Sequence, residues 1–367
     1  MKTPKEFKTF EEQIEILKSR GLIISNEQKS IEILKQENYY NIVNGYKDLF
    51  LKKSLDDNQD IFIENTNFDE LYSLFLFDRE LRSILLKYIL IFERDFKTII
   101  AYNFSKKYNK NNRIGSYLYP ENYKDNYIDV LNFISTINQT IVSKSEKTNY
   151  IKHYIKQYGY ALLWVAVNIL SFGNMVYMFR ILKDDDKNNI ILFYVNRFLE
   201  QNNKENNLWF RSDSFLSLLK ILNIVRNVCA HEERMYNIKF DRVSTKDISE
   251  MIGYSFYGDL KLAIVFVFLK MILTRNNFIS LKEEIIMLFT KFNHKFETVL
   301  FNKILNEMGI NRKIFINCKI LLIKSKKSIY FFTYYISIKV RFMPVKCTSP
   351  RQQVSVKCTS PRPFFYF

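Results

Sequence analysis

Apolar residues along the first 310 positions recur mainly at three- and four-residue spacing rather than alternating, which predicts helices. Helical spacing covers residues 8–19 and 27–37, with Gly21 placed to end the first helix and Ser25 or Asn26 to cap the second. Tyr39, Tyr40, Ile42 and Val43 then cluster before Gly45, their rings read as packing groups. After a loop over residues 54–67, a long helix is predicted over 68–107. A break follows at 111–125 around Gly115 and Pro120, then helices near 127–142 and 148–158. The next segment places Trp164 and Phe172 in the core, and Gly173 permits a turn or a close helix approach. "KDDDK" at 183–187 reads as a solvated acidic loop, with three adjacent aspartates as a weak divalent-ion site. One further helix ends near His231, and "DLKLAIVFVFLKMIL" and "LKEEIIMLFTKFNHKF" complete an all-α bundle.

Composition agrees with a helical, core-forming chain: 367 residues, 47% hydrophobic and 25% charged, with only 8 Gly and 6 Pro. The start, "MKTPKEFKTFEEQ", is charged and does not read as a signal peptide. The apolar run over 262–269 is flanked by Lys261 and Lys270 and is too short to cross a bilayer. The expectation is a cytoplasmic bacterial protein without stable membrane insertion.

Charge changes the picture only at one end. The formal charge is +17, but residues 311–367 hold 12 of the 55 Lys and Arg and none of the 38 Asp and Glu, so 43 cations face 38 anions in residues 1–310. The same stretch carries Cys318, Cys347 and Cys358 and repeats "VKCTSPR" at 345–351 and 356–362. Two cysteines 11 apart with no histidine nearby do not make a zinc site. The stretch reads either as a basic, aromatic arm for RNA or an anionic membrane, or as a poorly structured tail that is not an evolved part of the fold. The chain therefore divides into an N-terminal helical subdomain (1–55), a helical domain (56–310) and the basic tail (311–367).

Candidate chemistry concentrates in "ILNIVRNVCAHEERMYN", residues 221–237, which holds one of the three histidines. At about 100° per residue with Asn223 as zero, Leu218, Ile221, Leu222, Ile224, Val225, Val228 and Cys229 fall on an arc of roughly 100° to 260°, the expected buried face. Asn223, Asn227, Arg234 and His231 lie opposite, with Ala230 and Arg226 closing a polar groove. Such a groove is either a solvated face or a working site. Glu232 and Glu233 would sit badly beside an anion, and the helix is expected to end near His231. On the long helix, Asp78 and Arg82, and Glu93 and Lys97, are spaced i, i+4 as surface ion pairs. His153 and His294 fit no motif.

Arg226, Asn227 and His231 form an Arg-x4-His arrangement that resembles the signature of the HEPN superfamily of ribonucleases. In order along the chain, "FEEQIEILKSRGLII", "NYYNIVNGYKDLF", "FDRELRSILLKYILIFERDFK", "WVAVNILSFGNMVYMF" and "RNVCAHEERMYN" are similar to the Abi-like (abortive infection, AbiD/AbiF type) proteins, over about residues 5–310. The resemblance implies a HEPN-like bundle and a metal-independent, cofactor-free endoribonuclease of phage defence. Because related nucleases pair two motifs and this chain has one, it also implies a homodimer with a composite site of two Arg226 and two His231. Asn227 would hold the imidazole or contact phosphate, and Glu93 would orient Arg226 or His231, with Asn223 and Arg234 in support. The other reading is a catalytically silent HEPN module that binds a small RNA or a protein partner such as an antitoxin through the same groove.

Since the first 310 residues supply their own apolar faces, deleting residues 312–367 should leave helicity and melting temperature unchanged by circular dichroism. A large loss of either would make the tail part of the fold.

Overall fold

A computed structural model describes residues 6–52, 60–109, 115–203 and 209–310, apart from 242, 254 and 257. The basic tail and parts of the 54–67 and 111–125 breaks lie outside the described residues. The expected all-α character holds: the described residues are mainly helical, with one short two-stranded sheet.

The N-terminal segment folds as its cap residues dictate. Thr9 and Glu12 close a capping box on α1 (Phe10–Ser19), and Gly21, at φ +85°, takes the left-handed conformation that turns the chain after it. Asn26 accepts from the Lys29 amide to start α2 (Glu27–Glu37). Ile42 and Val43 are buried in the following turn, whereas Tyr40 is exposed. Backbone hydrogen bonds between Ile23 and both Thr66 and Phe68 tie this segment to the start of the long helix, as does a bidentate Arg79–Glu37 pair.

That long helix, α3 (Phe68–Tyr108), is the axis on which the rest is assembled. Asn67 caps it, acids occupy its first turn and lysines its last, and no Gly or Pro interrupts 41 residues, about 60 Å of helix. Near one end it contacts the turn over residues 40–44, and the later helices assemble along the rest. These are α4 (Tyr127–Ser145), α5 (Asn149–Tyr158), α6 (Leu163–Ala166), α7 (Phe172–Ile181), α8 (Asp184–Asn202) and α9 (Ser212–Ala230). They continue with α10 (Lys246–Ile252), α11 (Ala263–Ile272), α12 (Arg275–Phe292) and α13 (Phe301–Glu307). Helices α6, α8, α9 and α12 pack directly on α3. Helix α11 is the expected core helix, with every residue but Lys270 buried. Among the described residues no helix is long and apolar enough to cross a membrane.

Four expectations change. The acidic stretch 183–187 is not a solvated loop but the first turn of α8, where the helix dipole favours carboxylates. Asp186 is buried against Lys107 (2.6 Å) and the Tyr108 hydroxyl (2.6 Å), and Asp184 pairs with Lys124 (2.6 Å), so two of the three carboxylates already have partners. Two short strands, β1 (Lys239–Phe240) and β2 (Leu260–Lys261), pair antiparallel; at two residues each they are too short to leave an alternating pattern. Phe172 is a core anchor, but Trp164 is not: 47% of it is exposed, because α6 is a single turn lying at the surface of α3.

The fourth change is the largest. Asp78 and Arg82 are not a surface pair, being 0% and 4% exposed. The Asp78 carboxylate accepts from Arg82 Nη1 (2.6 Å), the Tyr46 hydroxyl (2.7 Å) and the backbone amides of Met235 (2.9 Å) and Tyr236 (2.7 Å). Complete burial pushes this carboxyl above its usual range, and the four donors pull it back by stabilising the ion. The arrangement joins the N-terminal segment, α3 and the chain after α9 at one point. Asp78→Ala would strand Arg82 and two amides in the core, and should lower the unfolding free energy by about 3 kcal/mol or more in urea titration. A loss below about 1 kcal/mol would show that the node is not structural.

Candidate functional site

Helix α9 buries Phe215, Leu218, Leu219, Ile221, Leu222, Val225 and Cys229. The expected arc is therefore displaced: Ile224 is exposed and Val228 only partly covered. On the same count the true buried face runs from about 160° to 320°, and Arg226, at about 300°, belongs to it. Its guanidinium is consequently turned toward α3 rather than free in a groove.

There it meets Glu93. Arg226 Nε lies 3.6 Å from Glu93 Oε2, within ion-pair range but too far for a hydrogen bond, and neither atom has a hydrogen-bond partner although both are buried. The other carboxylate oxygen pairs with Lys97 at 2.7 Å, so the expected i, i+4 pair exists with both members largely buried. Glu93 thus stands between two cations, and Arg226 keeps 30% of its side chain accessible. The Asn227 side chain is the other neighbour of that guanidinium, accepting from Nη1 at 3.4 Å.

His231 terminates the helix. Its amide donates to the Asn227 carbonyl at 2.9 Å, Glu232 takes φ +57°, and the Glu233 amide donates back to the Val228 carbonyl at 3.1 Å. This reversal needs a left-handed residue, a position that glycine fills most easily and that here holds a glutamate at a cost of about 1 kcal/mol. Two residues later the chain is captured by Asp78. The exposed His231 therefore rides on a turn fixed by α9 on one side and a buried carboxylate on the other, and its imidazole makes no hydrogen bond among the described residues. Of the acids that follow it, Glu232 acts on Arg79, whose guanidinium is held above its usual range first by Glu37 and more weakly by Glu232. Cys229, buried beside Met235, is not available as a nucleophile, burial pushing its thiol up to about 12.

The remaining residues singled out from sequence go elsewhere. Asn223 packs beside Gly173 at the start of α7, where an added Cβ would meet its amide at 3.5 Å, an ordinary van der Waals contact, so neither the turn nor the close approach expected at Gly173 depends on glycine. Arg234 reaches back to the Gly45 carbonyl (2.6 Å) and Asp48 (2.8 Å), fastening the turn to the N-terminal segment. His153 and His294 are exposed. Sequence reasoning missed the role of Asp78, although the signal was present: it shares a face with Leu71, Leu74, Leu81 and Leu85, at helical spacings of seven, four, three and seven, and an acid on an apolar face calls for a partner.

With this geometry in place, comparison with protein-family models matches residues 32–237, more than half of the chain, to the Abi-like protein family. No curated protein and no solved structure matches significantly. The matched span ends directly after the Asp78-bound residues Met235 and Tyr236.

Arg226 and Glu93 should be energetically coupled despite the long contact. A double-mutant cycle of Glu93→Gln and Arg226→Gln, read by urea unfolding, is expected to give about 0.5–1 kcal/mol of interaction. Strict additivity would assign Glu93 to Lys97 alone.

Proposed function

The chain belongs to the Abi-like protein family of abortive-infection phage defence, and from that premise we propose that it is a metal-independent HEPN endoribonuclease acting on single-stranded RNA. The observation that carries the reading is the division of labour on α9. Arg226 is held against Glu93 with 30% of its side chain accessible, and His231 is exposed five residues further on, at the helix end. Transesterification of RNA needs a proton acceptor for the ribose 2′-hydroxyl, a proton donor for the 5′-oxygen and positive charge on the phosphorane. Imidazole suits the proton transfers, and a guanidinium that stays charged suits the phosphate.

In the composite site that we infer, two copies of the chain bring their α9 termini together. One neutral His231 takes the 2′-hydroxyl proton as the 2′-oxygen attacks phosphorus. The other, protonated, gives its proton to the 5′-oxygen as the P–O5′ bond breaks. The products are a 2′,3′-cyclic phosphate and a 5′-hydroxyl, and the two Arg226 side chains balance the charge that accumulates on the phosphoryl oxygens. The partly uncovered apolar edge of α9, Ile224 and Val228, supports a second copy on this face.

Labelled single-stranded RNA incubated with the full-length protein in EDTA should be cut to 2′,3′-cyclic phosphate ends. Arg226→Ala and His231→Ala should each remove cleavage by at least about a hundredfold and should not be additive, since they serve one step. RNA that is bound but left whole by the wild type would instead identify a silent binding module. Magnesium dependence with 3′-hydroxyl ends would exclude the His231 mechanism.

A further inference from the structure

Glu93 has a second neighbourhood besides Arg226. It lies in the wall of a cleft of about 630 Å³ between α3 and α6. The α3 wall presents Arg94, Lys97, Tyr102 and Lys106, and α6 presents Trp164. Tyr102 and Trp164 are 61% and 47% exposed, a large aromatic area left in water at two sides of one concavity. Arg94 is exposed and makes no ion pair among the described residues, and the Lys106 ammonium stands 5.9 Å from the Tyr102 ring centre. The only carboxylate in the lining is Glu93, whose charge is met by Lys97 and Arg226. The cleft is therefore positive.

Packing does not account for this combination. A tryptophan and a tyrosine kept at the surface on different helices, with Arg94 and Lys106 in the same lining and in no ion pair among the described residues, offer flat faces to a planar ring and charge to its phosphates. From Arg94 to Lys106 the α3 wall runs about 18 Å, room for a few nucleotides. We propose that the α3–α6 cleft binds a short segment of single-stranded RNA, its bases stacking on Trp164 and Tyr102 and its phosphates meeting Arg94 and Lys106. The identity of the polymer rests on the ribonuclease reading; the site does not overlap His231. Glu93 belongs to both the cleft wall and the Arg226 contact, so a strand seated in the cleft borders the guanidinium that would receive its scissile phosphate.

The test uses full-length His231→Ala protein, in which proposed cleavage is removed and binding can be measured alone. Replacing Trp209 by Phe leaves Trp164 as the one tryptophan of the chain. A ten-nucleotide oligoadenylate should quench its fluorescence, whereas the same strand in a duplex should not. In anisotropy titrations with labelled oligoadenylate, Trp164→Ala and Arg94→Glu should each weaken binding about tenfold or more, and Arg94→Ala should reduce the salt slope by about one. These residues are exposed, so melting temperatures should not change. Binding that is unaltered in both cleft variants, or absent altogether, would overturn the proposal, as would equal competition by polyglutamate, which would mark an acidic-peptide site. The two readings separate cleanly. Cleavage by the wild type with cleft variants that bind normally removes the cleft and leaves the nuclease; cleft-dependent binding without cleavage does the reverse.

Discussion

The carboxylate of Asp78 has no access to water, and much of the molecule is arranged to make that tolerable. An ion in an apolar interior is stable only when its lone pairs are occupied, and here the occupants are Arg82 on the next turn of the same helix and, from two distant parts of the chain, Tyr46 and the amides of Met235 and Tyr236. The Tyr46 ring in turn stacks on Tyr236, with centres 5.9 Å apart. Burial drives the phenol of Tyr46 upward, so it stays a donor to the carboxylate. The N-terminal segment, the long axial helix and the segment behind α9 thereby meet at one buried charge, and the Arg79–Glu37 and Arg234–Asp48 pairs reinforce the junction from outside. The turn that carries His231 inherits its position from this node rather than from α9 alone.

Within that frame the two ends of the Arg-x4-His arrangement are held to different degrees. Arg226 is half-withdrawn into the interface with α3, between Glu93 and Asn227, where its lost rotamer freedom is offset by charge. His231 stands beyond the last helical residue, exposed, on a reversal that obliges Glu232 to adopt a left-handed backbone. A fixed cation and an accessible titratable ring make different demands on a fold, and one helix end meets both because its last turn is the boundary between core and solvent.

Helices and caps were legible in the sequence because their causes are local. Gly21, Asn26 and the unbroken run of the long helix act through neighbours a few positions away. Glu93 could also be tied to Arg226 through the family resemblance, and the structure brings the two together. What periodicity could not supply was the partner across space. An Asp-Arg pair at i, i+4 looks the same whether buried or solvated, and although the apolar face around Asp78 calls for a partner, the amides that supply it lie more than 150 positions later. The displaced buried arc of α9 has the same origin: Arg226 sits on the inward side because a buried carboxylate awaits it there. Trp164 was misplaced because α6 is one turn long and has no period from which burial can be read. The aspartates at 184–186 have the composition of a loop, yet they open α8, two of them paired with lysines from α3 and the segment before α4.

The span of the Asp78 contacts also sets an order of events. Its amide donors lie 157 and 158 residues away along the chain, while the hydrogen bonds that build α3 and α9 reach only four. Loop-closure entropy makes contacts of such separation late and slow relative to helix growth. A chain emerging from synthesis can therefore complete both helices while residues 232–236 are still unanchored. Arg226 and Glu93 meet when those helices dock, and the histidine turn acquires its final geometry with that closure. The Arg226–Glu93 contact spans 133 residues and so belongs to the same late stage, which makes the charged and the titratable halves of this helix end products of one docking event.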